Sequence, residues 1–279
     1  MRVRARPEGN DREHVGERMD ISRAERQLSD EGCSVALRWI DGRLTLTDGE
    51  QALCGDFARL LPRVKPGKLQ RELLVRAAKA KGTASPTAFD ATAGLGEDSF
   101  LLAAAGFTVQ LHENDPVIAA LLRDALTRAA ADPAFSAIAA RMRLVEGDSV
   151  AALSAIAAAD GAARSDNAAS DPSAMGNATV LAASPAPFDV VYLDPMFPER
   201  SKSAAVKKKF QLLHHLERPC ANEEELLRAA IAAAPRKVVI KRPVKGPWLA
   251  GIKPSYAIAG KAVRYDVIVP ASIGGSALV

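Results

Sequence analysis

From Thr87 onward the chain alternates short apolar runs with segments of helical period, the pattern of a parallel sheet covered by helices. The runs at 88–91, 107–112, 143–146, 188–193 and 237–241 are strand-length. A closing pair, 256–259 and 263–269, lies close enough in sequence to pair antiparallel, so the spacing predicts a mostly parallel, seven-stranded α/β sheet. Helices are expected between the runs. One spans 97–105 and is closed by Gly106; a second has Asp115 as N-cap and Pro116 at its first position. A third begins at Asn222, with Glu225 completing a capping box.

Upstream the pattern differs. Residues 35–46 alternate apolar and polar side chains around Asp41-Gly42, a pair that accepts the positive φ angles of a tight hairpin, so a small N-terminal β unit is expected over 31–82. A helix near 69–80, ending at Gly82, should join it to the main domain at 83–279. Residues 1–30 are rich in both charge signs and show little apolar period, which reads as a flexible tail. The segment 157–187 holds twelve Ala among Ser, Asp, Asn, Gly and Pro, and reads as a flexible surface insertion.

Hydrophobic residues make up 48% of the chain, yet no apolar run reaches the roughly 18 residues that span a bilayer. The charged N-terminus lacks a secretory core, so a cytoplasmic enzyme is expected. Cys33, Cys54 and Cys220 fit neither a disulfide framework nor zinc spacing, and His14, His112 and the pair His214-His215 lack partners for a metal site or a hydrolytic triad. No metal is expected. The net charge of +4 is modest but clustered: eight Lys or Arg lie between Arg59 and Lys81 against the single acid Glu72. Further clusters are Arg200, Lys202, Lys207, Lys208 and Lys209, then Arg236, Lys237, Lys241, Arg242 and Lys245. Three such clusters favour a polyanionic partner.

Three motifs carry chemistry. Phe89-Asp90-Ala-Thr-Ala-Gly94-Leu-Gly96-Glu97-Asp98 stands where the first strand of the main domain turns into a helix, so Gly94 and Gly96 can let backbone approach a ligand. A nicotinamide fingerprint would need a third glycine where Ser99 stands, and Glu97 and Asp98 would repel a pyrophosphate. S-adenosylmethionine (SAM), with an ammonium and a sulfonium, suits these acids better. Glu113 ends the next strand and can accept both ribose hydroxyls; Asp148 and Ser149 follow the third strand and would border the adenine, although Asp148 could equally cap the next helix. Most specific is Leu193-Asp194-Pro195-Met196-Phe197-Pro198, similar to the Asp/Asn-Pro-Pro-aromatic motif of enzymes that methylate exocyclic amino groups. The lone pair of such an amine is delocalised into the base. Asp194 and the Pro195 carbonyl could accept its hydrogens while Phe197 stacks on the extruded ring.

Together with the Glu113-Asn114-Asp115-Pro116 turn, the run 202–209 and Val239-Ile-Lys-Arg-Pro243, these motifs resemble the ribosomal RNA small subunit methyltransferase J family over roughly 68–269. The resemblance implies a class I SAM-dependent methyltransferase of Rossmann-like fold that modifies N2 of a guanine in 16S ribosomal RNA, free or in the small ribosomal subunit. By position it assigns cofactor contacts to Glu97, Asp98, Glu113, Asn114, Asp148, Ser149 and Asp194, joining Asp90, Gly94 and Gly96 of the turn. Catalysis falls to Asp194, Pro195 and Phe197, and RNA phosphates to Lys202, Lys207, Lys208, Lys209, Lys241 and Arg242. The alternatives are a methyltransferase for another planar amine, such as adenine N6 or a protein amide, and a non-catalytic RNA-binding module. If Lys207, Lys208 and Lys209 bind phosphates, replacing all three should flatten the log-log salt dependence of RNA binding by roughly 2 units and leave SAM affinity unchanged. Binding isotherms across a salt series check this, with a triple substitution at Arg2, Arg4 and Arg6 as control.

Overall fold

The Asp41-Gly42 pair takes φ angles of 49° and 70° and closes a hairpin between β1 (Ala36–Ile40) and β2 (Arg43–Thr47), in the register Ile40 opposite Arg43. In this computed structural model, residues 20–31, 34–168, 188–195 and 223–270 are described. A short β3 (Ala52–Leu53) completes a three-stranded antiparallel sheet, whose Leu44, Leu46 and Leu53 are buried. A helix, α1 (Ser22–Asp30), lies against the same cluster. The flexible tail expected through residue 30 therefore gives way to helix at Ser22. Its apolar stripe is sparse, Ile21, Ala24 and Leu28 at helical spacing among charged residues, and only the surface it lands on makes it pay off as structure.

The basic segment begins with α2 (Leu61–Val64). The single helix expected near 69–80 is split into a 3-10 turn, Leu69–Arg71, and α3 (Leu73–Ala78). The break falls at Glu72, whose ψ of 129° is extended and whose carboxylate receives both Nε and Nη2 of Arg63, at 2.9 and 2.7 Å.

The main sheet contains β4 (Thr87–Asp90), β5 (Thr108–Glu113), β6 (Met142–Glu146), β7 (Val190–Leu193), β8 (Lys237–Pro243), β9 (Tyr256–Ala259) and β10 (Val263–Ile268). Their spatial order is β6-β5-β4-β7-β8-β10-β9, parallel from β6 to β8, with β10 antiparallel to both its neighbours. One face is covered by α4 (Glu97–Ala104) and α5 (Pro116–Ala131), through Phe100, Leu102, Leu122 and Ala125; a short α6 (Ser136–Ala139) adds Ala139. The other is covered by α7 (Ser149–Ala168) and α8 (Glu223–Ala232), through Leu153, Leu226, Leu227 and Ile231. Among the described residues no helix is long and apolar enough to cross a membrane.

Helix α7 corrects the expected start of the insertion at 157. Alanine is the best helix former, and with Leu153 anchored in the core the Ala-rich stretch continues as helix to Ala168. Residues 169–187 lie outside the described residues, as does Asn222 of the expected capping box.

The small sheet and the main domain meet on α5. Asp124 of α5 accepts the Leu44 amide at 3.2 Å and Arg128 Nε at 2.9 Å, while Arg128 Nη2 donates to the Gly55 carbonyl at 2.5 Å. A Cβ on Gly55 would stand 2.6 Å from that of Ala125, so glycine permits the close approach.

β5 follows β4 on one side of the sheet and β7 lies on the other, so the winding reverses between β4 and β7. A crevice opens at the carboxyl ends of strands at such a switch point. If α1 is an integral part of the core, Leu28→Ala should lower unfolding free energy by about 2 to 3 kcal/mol, the usual effect of emptying a buried leucine site. Urea denaturation measures it; a change within about 0.5 kcal/mol would return α1 to the tail.

Candidate active site

The turn from β4 to α4 is shaped by two acids. Asp90, 1% exposed, accepts the Thr92 amide at 3.0 Å and the Ser99 hydroxyl at 2.6 Å. Glu113, at the end of β5, accepts the amides of Gly94 and Asp115, each at 2.9 Å. Gly96 stands at φ 74° as N-cap of α4, where a Cβ would meet Leu122 Cδ1 at 2.7 Å. At Gly94, with φ 53°, a Cβ would find nothing within 4 Å. Both glycines are favoured by their positive φ; Gly96 is in addition crowded by Leu122, whereas Gly94 borders open space.

The end of β7 is tied to this turn. The Ala91 amide donates to the Tyr192 carbonyl at 3.0 Å, and the Asp194 amide donates to Thr92 Oγ1 at 2.7 Å. Lys241 of β8 supplies the third side of the crevice: its Nζ lies 2.8 Å from Asp98 Oδ2 and 2.8 Å from Asp194 Oδ2. Tyr192 donates its hydroxyl to the same Asp98 oxygen at 2.6 Å.

Burial dominates the electrostatics. It pushes the carboxyls of Asp90 and Glu113 up to about 7, Asp90 being helped by the charges of Asp98 and Asp194. Asp98 is half-buried, but the Lys241 ammonium outweighs its desolvation, and with the Tyr192 hydroxyl it holds the carboxyl below its ordinary value. Burial opposes the Lys241 charge, yet Asp98 and Asp194 raise its proton affinity above that of an ordinary lysine.

The residues expected from the sequence fall into four groups. Asp90, Gly94, Gly96, Asp98, Glu113, Asp194 and the buried Pro195 gather at the crevice. Asp90 gives its oxygens to the turn beneath the ligand space, correcting its assignment as a cofactor contact. Glu97 pairs with Arg59, Asn114 is exposed, and Asp148 caps α7 by accepting the Val150 amide at 2.9 Å, just before Ser149. Phe197, Lys202, Lys207, Lys208 and Lys209 lie outside the described residues. The phosphate role expected of Lys241 and Arg242 is corrected: Lys241 is held by two carboxylates, and Arg242 is 2% exposed with Nε donating to the Pro247 carbonyl at 3.0 Å.

Thr92, Ser99 and Tyr192 escaped the sequence reading. A tyrosine inside the apolar run Val190–Leu193 was the available signal, because a buried hydroxyl needs a partner.

The donor set fits SAM. Three carboxylates, Asp98, Glu113 and Asp194, border an open glycine turn and suit a ligand with an ammonium, a sulfonium and ribose hydroxyls. Comparison with known proteins agrees. The chain matches the SAM_MT family of SAM-dependent methyltransferases over residues 21–164 and 173–270. It is 41% identical over 228 residues to a ribosomal RNA small subunit methyltransferase J from Thioalkalivibrio sulfidiphilus, covering 81% of this chain and 79% of that protein. It is 37% identical over 227 residues to the protein of that name from Neisseria meningitidis, covering 81% and 80%. A crystal structure of a SAM-dependent methyltransferase from Neisseria gonorrhoeae superposes with a TM-score of 0.59 at 33% identity, covering 83% of this chain and 81% of that one.

The raised carboxyls give a pH dependence of fixed sign. Asp90 and Glu113 hold a proton more tightly when folded, so the stability they contribute is full below their ordinary values of 3.8 and 4.5 and is lost as pH rises through about 7. Between about pH 5 and about pH 8 the ligand-free protein should therefore melt progressively lower, while binding of cationic SAM should strengthen as the acids ionise. Glu113→Ala should weaken SAM binding by about 1.5 to 3 kcal/mol and flatten part of this trend. Calorimetric titration and thermal melts across that range check both; unchanged affinity in the variant would remove Glu113 from the cofactor site.

Proposed function

This chain belongs to the ribosomal RNA small subunit methyltransferase J family, and on that premise we propose that it transfers the methyl group of SAM to N2 of a guanine in 16S ribosomal RNA, in the cytoplasm. The observation that carries this reading is the placement of Asp194-Pro195 at the end of β7, with Asp194 held by Thr92 and Lys241 beside the glycine turn.

SAM supplies an electrophilic methyl group. The chain's own residues position the two reactants, which is where most of the acceleration of an in-line displacement originates. Glu113 would hold the ribose hydroxyls and Asp98 the ammonium of the methionine end, with Asp148 and Ser149 on the adenine side. Asp194 and the Pro195 carbonyl accept the two hydrogens of the guanine amine, so that its lone pair turns out of conjugation toward the methyl. Phe197, which lies outside the described residues, is the aromatic that this reading assigns to the extruded base. Once methylated the amine is cationic and acidic, and its proton passes to Asp194 or to water.

The substrate is 16S ribosomal RNA, free or within the small ribosomal subunit. Asp194→Ala should reduce methyl transfer at least about 100-fold, the scale of losing a positioned catalytic group, with SAM binding affected far less. Radiolabelled methyl incorporation into ribosomal RNA, DNA and protein, followed by mass spectrometry of RNA nucleosides, provides the measurement. Full activity of the variant on ribosomal RNA would overturn the assignment of Asp194, and labelling of DNA or protein in preference to RNA would overturn the substrate.

A further inference from the structure

Lys241 interrupts a strand whose preceding residues, Val238, Val239 and Ile240, are all buried and apolar. An ion pair taken partly out of water rarely stabilises a fold better than a well-packed apolar side chain, so stability alone is a weak reason for an ammonium here. Its surroundings give a better one. Asp98 reaches it from α4 and Asp194 from the end of β7, each at 2.8 Å, so the two carboxylates lie close to one another across one nitrogen. Without that cation one of them would take up a proton, as carboxylates sharing a site do. A protonated Asp194 would offer a donor where the reaction needs an acceptor.

We infer that Lys241 is a positioning residue of the reaction: shared between Asp98 and Asp194, its ammonium keeps the catalytic carboxylate charged and aimed while the cofactor-side carboxylate is held beside it. This rests on the function proposed above. Lys241 acts through Asp194 and does not bind the cofactor; its own positive charge opposes a cationic ligand in the same crevice. It should therefore matter to turnover and to the pH range of the site more than to SAM affinity at high pH. The other groups facing this cluster include Asp90 from β4, Tyr192 from β7, Tyr265 from β10, Arg63 from α2 and Arg242 from β8, whose charge acts on Asp194.

The test uses the full chain with Lys241→Met and Lys241→Arg. The first readout is SAM binding by calorimetry from about pH 5 to about pH 8.5, with no RNA present. In Lys241→Met, affinity at the alkaline end should stay within about threefold of wild type or improve, while the acid-side loss of binding moves up by about one pH unit or more. At saturating SAM and ribosomal RNA, kcat should fall at least about 30-fold with KM for RNA little changed. Lys241→Arg should return the acid-side midpoint to its wild-type position. Lys241→Gln repeats the series if the methionine variant does not fold.

Two results would overturn the inference. One is weaker RNA binding with a flatter salt dependence and an unchanged kcat, which would make Lys241 a phosphate contact. The other is a lower melting temperature and uniformly weaker SAM binding with no movement of the acid-side midpoint, which would make it a structural strut. If the wild-type protein fails to methylate ribosomal RNA, the substrate reading falls alone, and the calorimetric midpoint still decides the role of Lys241.

Discussion

The glycine turn after β4 owes its shape to side chains that reach it from below and from the neighbouring strands. Asp90 accepts the Thr92 amide and the Ser99 hydroxyl, and so holds both ends of the bend. Glu113 reaches across from β5 to the Gly94 amide, and Thr92 receives the amide of Asp194 from β7. Three strand ends are bound to one another through a few residues, and the crevice is the space their meeting leaves open. Both acids are held against a strong desolvation penalty. The penalty is offset because each accepts two hydrogen bonds from groups that would otherwise be orphaned at a helix start or a bend.

The same logic extends outward to the small sheet. Asp115 follows Glu113 by two residues and caps α5 by accepting the amides of Val117 and Ile118, while its second oxygen accepts Gln27 Nε2 of α1 at 2.8 Å. Helix α5 in turn carries Val117, Ile118 and Leu121 into the cluster that buries Leu44 and Leu46. A continuous path of contacts thus runs from α1 through the Asp115 cap to Glu113. The N-terminal unit braces the back of the helix whose first turn follows Glu113 at the crevice.

Much of this architecture was readable because it rests on local rules. Strand length and apolar composition marked all seven strands of the main sheet, and the Asp41-Gly42 and Asp115-Pro116 signals marked a hairpin and a helix start. What escaped depends on long-range contact. The two apolar residues of α1 that become buried mean little until α5 is there to receive them, and the Ala-rich start of 157–187 reads as low complexity until Leu153 anchors its helix. The basic cluster from Arg236 to Lys245 shows the limit most plainly, because sequence counts charges but does not show their partners. Arg236 bonds the Lys81 carbonyl, Lys237 the carbonyls of Ala77 and Lys79, Lys241 two carboxylates and Arg242 the Pro247 carbonyl, whereas Lys245 is exposed. Alternation along β8 separates 237, 239 and 241 from 238, 240 and 242, and that periodicity was the signal that one charge of the cluster turns toward the crevice.

A chain with net charge +4 that places two carboxylates around one ammonium in its crevice, with Glu113 beside the same turn, separates the tasks its substrate requires. A phosphate brought among Asp98, Glu113 and Asp194 would meet like charge at short range and in low dielectric, where repulsion is far stronger than in water. A neutral base meets no such barrier. The proposed guanine can therefore enter only if its backbone stays outside the crevice, which is the geometry of an extruded nucleotide. Burial moderates the arrangement, since Asp90 and Glu113 near 7 are only partly ionised before a cation arrives. Binding of SAM beside Glu113, as proposed, would draw that acid toward the charged form, so that the crevice would take on its full charge only once the balancing cation is in place.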